Sequence, residues 1–254
     1  MTGFANDGLR LHHEVHGTGR PVVLLHGGTV SFEHNYALFG WIERLGAVGM
    51  QVIGLDFRGH GKSDKPHDVA SYGTLSLAED VVALLDHLKL DGVSLIAYSI
   101  GTAVALELLR ASPQRLASAA LIATGDGLIG IGPHTFDRSL PALGPVLART
   151  EYPDDLPRHQ STYWNFVKRT QGDVEALIAF SKASYPALSI EQAAAIKTPT
   201  LVVSGEKDVV LGQGRRLADA LGKGTYLEVA GADHFSLAAD ATVQAAVVSF
   251  VATH

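Results

Sequence analysis

The stretch LIAYSIGTAVALELL, Leu95–Leu109, puts one serine between a run of strand-like residues and a run of helix-like ones. VSLIAY, ending at Tyr98, is short, continuous and apolar, as a strand buried on both faces requires. IGTAVALELL keeps helix-forming residues from Ile100 onward. Ser99 stands at the junction, with Ala97 and Gly101 two places to either side. A sharp strand-to-helix turn brings the two elements so close that larger side chains at those places would collide. Such a turn at the carboxyl end of a parallel strand lies where ligands bind in open α/β sheets. The Ile100 N–H would point to the same place from the start of a helix, ready to meet negative charge.

Outward from that point the same alternation repeats. PVVLLHGG, MQVIGLDF, SAALIAT, TLVVSG and TYLEVAG read as further buried strands. SLAEDVVALLDHLKLDG reads as a helix with Val81, Leu84, Leu85 and Leu88 on one face, opened by a Ser76–Glu79 capping box and followed by Gly92. GQGRRLADALGKG and LAADATVQAAVVSFVA supply the last two helices. Strands alternating with helices predict an α/β domain, a mostly parallel sheet covered on both faces. GLRLHHEVHGTGRP at the start predicts an antiparallel edge hairpin. From Asp126 to Pro186 the alternation stops, and Phe136, Tyr152, Tyr163, Trp164, Phe166, Phe180 and Tyr185 collect there. A long insertion in a compact domain is usually functional, so residues 126–186 are expected to form a small helical cap. Residues 1–125 and 187–254 form the core domain in this reading.

Composition narrows the function. The 254 residues are 46% hydrophobic and 18% charged, with a net charge of −6, which suits a globular chain and offers no basic stripe for nucleic acid. The absence of cysteine excludes disulfides, thiolate catalysis and Cys-type zinc sites. No basic segment followed by an apolar run opens the chain, and no apolar run nears the roughly 20 residues of a membrane span. The expected setting is the cytoplasm, with no membrane partner; monomer and homodimer are equally open.

A serine needs an adjacent base and the base an orienting acid before it attacks well. Asp208 follows strand TLVVSG, and His234 lies in the loop after TYLEVAG. Both loops open at the sheet edge where Ser99 stands, in the chain order Ser, Asp, His expected for this topology. Asp126, just past SAALIAT, is a rival acid. Gly27 and Gly28, after the first central strand, let a backbone amide approach a substrate oxygen.

HGG, DFRGHGKSD, AYSIG, GEKDVV and GADHF together resemble the α/β-hydrolase family over essentially the whole chain. The resemblance implies an eight-stranded, twisted, mostly parallel sheet. It implies Ser99 as nucleophile, His234 as base, Asp208 as acid, and the amides of Gly28 and Ile100 as the oxyanion hole. Ala97 replaces the usual first glycine of the serine turn. The implied enzyme is a serine hydrolase that cleaves a small, largely apolar ester or lactone through an acyl-enzyme and needs no cofactor or metal. Each oxyanion donor would be worth about 3–4 kcal/mol in the transition state.

Competing readings attach to particular residues. Ser99 could serve only as a helix cap, and Asp208 only as a turn residue. Asp56, Arg58, His60 and Ser63 are read as braces of a glycine-rich loop, and His26 as a buried orienting residue. His12, His13 and His16 are read as surface histidines, since His12 and His13 face opposite sides of a strand. Arg138, Arg149, Arg158 and Arg169 are expected in solvent, one of them free to hold a substrate carboxylate. A carbon–carbon bond hydrolase of ring-cleavage products would resemble this chain but carry tryptophan where Phe235 stands. Dehalogenases and epoxide hydrolases of the family require aspartate at Ser99. A perhydrolase or haloperoxidase-type activity, and a ligand-sensing or partner-binding protein with little turnover, complete the set.

Overall fold

The computed structural model describes residues 3–136, 140–152 and 154–254. Eight strands form one sheet: β1 (Gly3–Asn6), β2 (Leu9–His16), β3 (Arg20–Leu25), β4 (Met50–Leu55), β5 (Val93–Tyr98), β6 (Leu116–Ile122), β7 (Thr200–Gly205) and β8 (Gly224–Val229). Their order is β1-β2-β4-β3-β5-β6-β7-β8. The stretch GLRLHHEVHGTGRP supplies β2 and the start of β3, which do not pair; the antiparallel edge hairpin is instead β1 with β2, and β2 also runs antiparallel to β4. Every other neighbouring pair is parallel. β5 and β7 are buried along their whole length, whereas β8, an edge strand, buries only Val229.

Alternation along the central strands divides the core in two. Val23, Leu25, Leu95 and Ala97 face one layer, covered by α2 (Thr74–Leu88) and α3 (Ile100–Ala111). Val22, Leu24, Ile96 and Tyr98 face the other, covered by α1 (Trp41–Ala47) and α9 (Ala241–Thr253). Between β6 and β7 lie α4 (Leu143–Leu147), α5 (Arg158–Thr170), α6 (Val174–Lys182) and α7 (Ile190–Ala195); α8 (Arg215–Ala220) joins β7 to β8. Among the described residues, no helix is long and apolar enough to cross a membrane.

Three local expectations are corrected. α2 starts at Thr74, two residues before the expected Ser76–Glu79 box. Its amino end is set by Gly73 at φ 122° and by the Thr74 N–H donating to Ser184 O at 3.2 Å, a long-range anchor that sequence spacing does not reveal. At the other end Lys89, not Gly92, takes the left-handed turn after the last helical residue. His13 is not a surface histidine: its ring is buried against Phe4 and His87, and burial, then the neighbouring His87 and His12, lower its pKa. His12, 14% exposed, and His16, 33% exposed, are partly buried and lie on either side of the Glu14 carboxylate at 3.2 and 3.1 Å.

Candidate active site

Ser99 has φ 51° and ψ −120°, a conformation an L-residue holds only under constraint. The constraint comes from both sides. Its N–H donates to Ile122 O at 2.9 Å, which ties the turn to β6. A Cβ on Gly101 would stand 2.6 Å from Leu25 O and 2.9 Å from His26 O, so only glycine lets α3 approach the end of β3. Ser99 occupies the position before α3, yet its side chain makes no capping bond. The hydroxyl turns instead to the His234 ring, 3.0 Å from Nε2.

His234 lies on the loop after β8, and Nδ1 is 2.8 Å from Asp208 Oδ2. Asp208 lies just past β7, where its other oxygen accepts the amides of Val210 and Leu211 at 2.8 and 2.9 Å. Asp208 is thus both a turn residue and the partner of the ring, and those two amides fix which oxygen faces His234. Burial pushes the Asp208 carboxyl up. The charge and hydrogen bond of His234, with the two amides, outweigh that and hold its pKa below the ordinary value. All three side chains are buried. Asp126 is elsewhere: its carboxylate accepts the Leu217 N–H at 2.9 Å, on α8.

The two expected oxyanion amides stand out by what their neighbours do. Gly27 N–H donates to Asn35 Oδ1 at 2.8 Å, and Thr29 N–H donates to His60 Nε2 at 3.3 Å. No hydrogen bond among the described residues takes the Gly28 or Ile100 N–H. The loop that presents Gly28 is held by two neutral imidazoles. His26 Nε2 accepts the Phe57 N–H at 3.0 Å, so its proton sits on Nδ1 and is donated to Gly27 O at 2.7 Å. His60 works the same way, donating from Nδ1 to Arg58 O at 3.0 Å. Burial first, then a nearby histidine, lowers their pKa values to about 4 for His26 and about 3 for His60. Below them Asp56 accepts the amides of Phe32 and Lys62, and Ser63 donates to Asp56 O. These residues brace the loop, as the sequence predicts.

Two cavities open on Ser99. The smaller, about 200 Å³, is walled by Ile100, Phe136, Leu143, Leu147, Leu177 and Phe180, with His134, His159, Gln160 and Ser181 among its polar members. The larger, about 470 Å³, is walled by Leu38, Phe39, Phe166, Arg169, His234 and Phe235. Among the described residues, only Gly28, Ser99 and Tyr163 belong to both walls. Tyr163, on α5, packs edge-on against Phe235 with ring centroids 5.2 Å apart. Burial, then the Asp208 charge, pushes its hydroxyl pKa above the usual range.

Of the four arginines between β6 and β7, Arg149 pairs with Asp155, Arg158 is exposed at the start of α5, and Arg169 reaches the larger cavity. Arg138 lies outside the described residues. Sequence reasoning missed Asn35, which orients the glycine loop, and α1. Among the described residues, no group of three or more His, Asp or Glu side chains is arranged to hold a metal ion.

Residues 20–169, more than half the chain, match the model of the alpha/beta hydrolase fold. The chain belongs to the α/β-hydrolase family. Among curated relatives, this α/β hydrolase is 36% identical over 91 residues to the AB hydrolase superfamily protein YisY of Bacillus subtilis, a match covering 35% of this chain and 32% of that one. The chain thus aligns with about a third of YisY's length. It is 28% identical to a haloalkane dehalogenase of Mycolicibacterium paratuberculosis, covering 85% of this chain and 68% of that one. Among solved structures, an enol-lactonase from Burkholderia xenovorans LB400 superposes with a TM-score of 0.75 at 25% identity, covering 98% of this α/β hydrolase and 99% of that chain.

Proposed function

We propose that this α/β hydrolase cleaves a carboxylic ester or lactone of a small, largely apolar substrate, with Ser99 as nucleophile. One observation carries the proposal: the Ser99 hydroxyl at 3.0 Å from His234 Nε2, with Asp208 at 2.8 Å behind the ring, at the meeting point of two mostly apolar cavities. His234 takes the serine proton as Oγ attacks the carbonyl carbon. Asp208 holds the imidazole in the required tautomer and stabilises its charged form. The carbonyl oxygen gains negative charge opposite the unused amides of Gly28 and Ile100. The C–O bond to the alcohol then breaks, and the leaving oxygen takes the proton back from His234. Water, deprotonated by the same ring, releases the acid and restores Ser99.

Residues 126–186 serve as a cap in this reading, since Phe136, Tyr163 and Phe180 from that segment wall the cavities above the serine. The likeness to an enol-lactonase supports a lactone among the substrates. Serine at position 99 argues against the dehalogenase chemistry named for one relative, because that resemblance requires aspartate there. Phe235 in place of tryptophan argues against carbon–carbon hydrolysis. A panel of p-nitrophenyl esters and γ- and δ-lactones tests the proposal: turnover that vanishes in Ser99→Ala is expected. Turnover of none of them, or turnover undiminished in Ser99→Ala, would contradict it.

A further inference from the structure

The two cavities differ in one chemically decisive respect. His234 belongs to the wall of the larger cavity and not to that of the smaller one, whereas Ile100 belongs to the smaller alone. Resting on the hydrolase reading above, we infer that the acyl chain of the substrate enters the smaller cavity and the leaving alcohol occupies the larger one, with Tyr163 as the partition between them.

The argument is a proton balance. When the tetrahedral adduct collapses, the electron pair of the breaking C–O bond goes to the alcohol oxygen, which must receive the proton that His234 took from Ser99. That oxygen therefore lies within hydrogen-bond reach of Nε2, on the side walled by His234 and Phe235. The water of the second step needs the same reach, and the departing alcohol vacates the place it must fill. The acyl carbon stays bonded to Ser99 Oγ, so its chain is left the other direction, past Ile100 toward Leu143, Leu147 and Leu177. His134 and His159 stand on that side, but the Ser99 hydroxyl bonds to His234. Tyr163 lines both cavities and is held by Phe235, the residue directly after His234. The substrate class that follows is an ester of a short apolar acid with a bulkier alcohol; a lactone ring would straddle the partition, and its opened product would reach into both cavities.

Two ester series separate the sides: p-nitrophenyl acetate to hexanoate lengthens the acyl chain, and methyl to hexyl acetate lengthens the alcohol. Ala142→Phe narrows the smaller cavity and Leu38→Trp the larger, both from positions exposed at the cavity rim. Leu143→Phe and Val30→Phe are a second pair should either variant fail to fold. Ala142→Phe is expected to lower kcat/KM for hexanoate relative to acetate by about tenfold or more and leave the alcohol ratio in place. Leu38→Trp is expected to do the converse. Tyr163→Ala should relax the limit on acyl length by joining the cavities. The inverted pattern, or both variants acting on one series, would overturn the assignment of sides while leaving the hydrolase reading intact. Absence of Ser99-dependent turnover on every ester would overturn that reading, and the assignment with it.

Discussion

Arg58 and Asp80 meet in a two-point ion pair sealed from water: Nε to Oδ2 and Nη2 to Oδ1, each 2.7 Å, with side chains 1% and 0% exposed. The pair ties the loop after β4 to α2, and the Asn6 side chain adds a bond to the same carboxylate at 2.8 Å. This is the loop whose His60 holds the Thr29 amide, next in the chain to Gly28.

Asp80→Ala strips the buried guanidinium of its two-point partner, leaving it the exposed Asp7 carboxylate at 3.3 Å and Ser71 O at 2.8 Å. Breaking a buried pair from one side costs about 3–5 kcal/mol. Urea denaturation should show a loss of that order; a loss under about 1 kcal/mol would mean that the pair is no more than a surface ion pair in its effect.

His26 and His60 predict the acid limit of stability. Both have folded pKa values lowered from 6.5, to about 4 and about 3, so the folded state resists protons that the unfolded chain accepts. Their contribution is present above pH 6.5 and is lost as pH falls toward 4 and 3. Across that window the unfolded chain binds up to two more protons, a slope of about 2.7 kcal/mol per pH unit. Denaturant midpoints from pH 7 to 4 should fall accordingly, and the slope should halve in a folded His60→Asn variant. A flat profile would contradict the buried neutral pair.

Gly101→Ala places a methyl 2.6 Å from Leu25 O, against backbone that cannot swing aside. Overpacking of this kind costs about 1–3 kcal/mol. Because the displaced strand end leads into Gly28, kcat should fall along with the melting temperature. Unchanged stability and activity would mean that the serine turn does not need this close approach.

The part of this architecture written most plainly in the sequence is the sheet. Runs such as VSLIAY and TLVVSG are buried on both faces, so apolar continuity and strand length coincide. The serine turn was legible because Ala97 and Gly101 answer a steric demand local to five residues. What depends on distant partners was not. The start of α2 is fixed by Ser184, over a hundred positions away. His13 is buried because Phe4 and His87 close over it. The choice between Asp208 and Asp126 turns on which strand end the histidine loop reaches, and spacing along the chain is silent on that. Residues 126–186 offered only their aromatics, since their division between the two cavities is set by how α5 and α6 pack.

Asp208 and Asp126 can be separated by function. Asp208→Asn should keep the fold and lower kcat by about 10⁴, as loss of the acid does in the Ser-His-Asp template. Asp126→Asn should leave kcat within a few-fold. Equal losses of kcat from the two variants would contradict Asp208 as the orienting acid.

The central claim is that the buried hydroxyl of Ser99, paired with His234, is an attacking group. A fluorophosphonate probe followed by intact-mass and peptide mapping tests it most directly. The account predicts one adduct per chain, on Ser99, and none in His234→Ala over the same time. Adducts confined to other residues, or none on protein that turns over an ester, would contradict it.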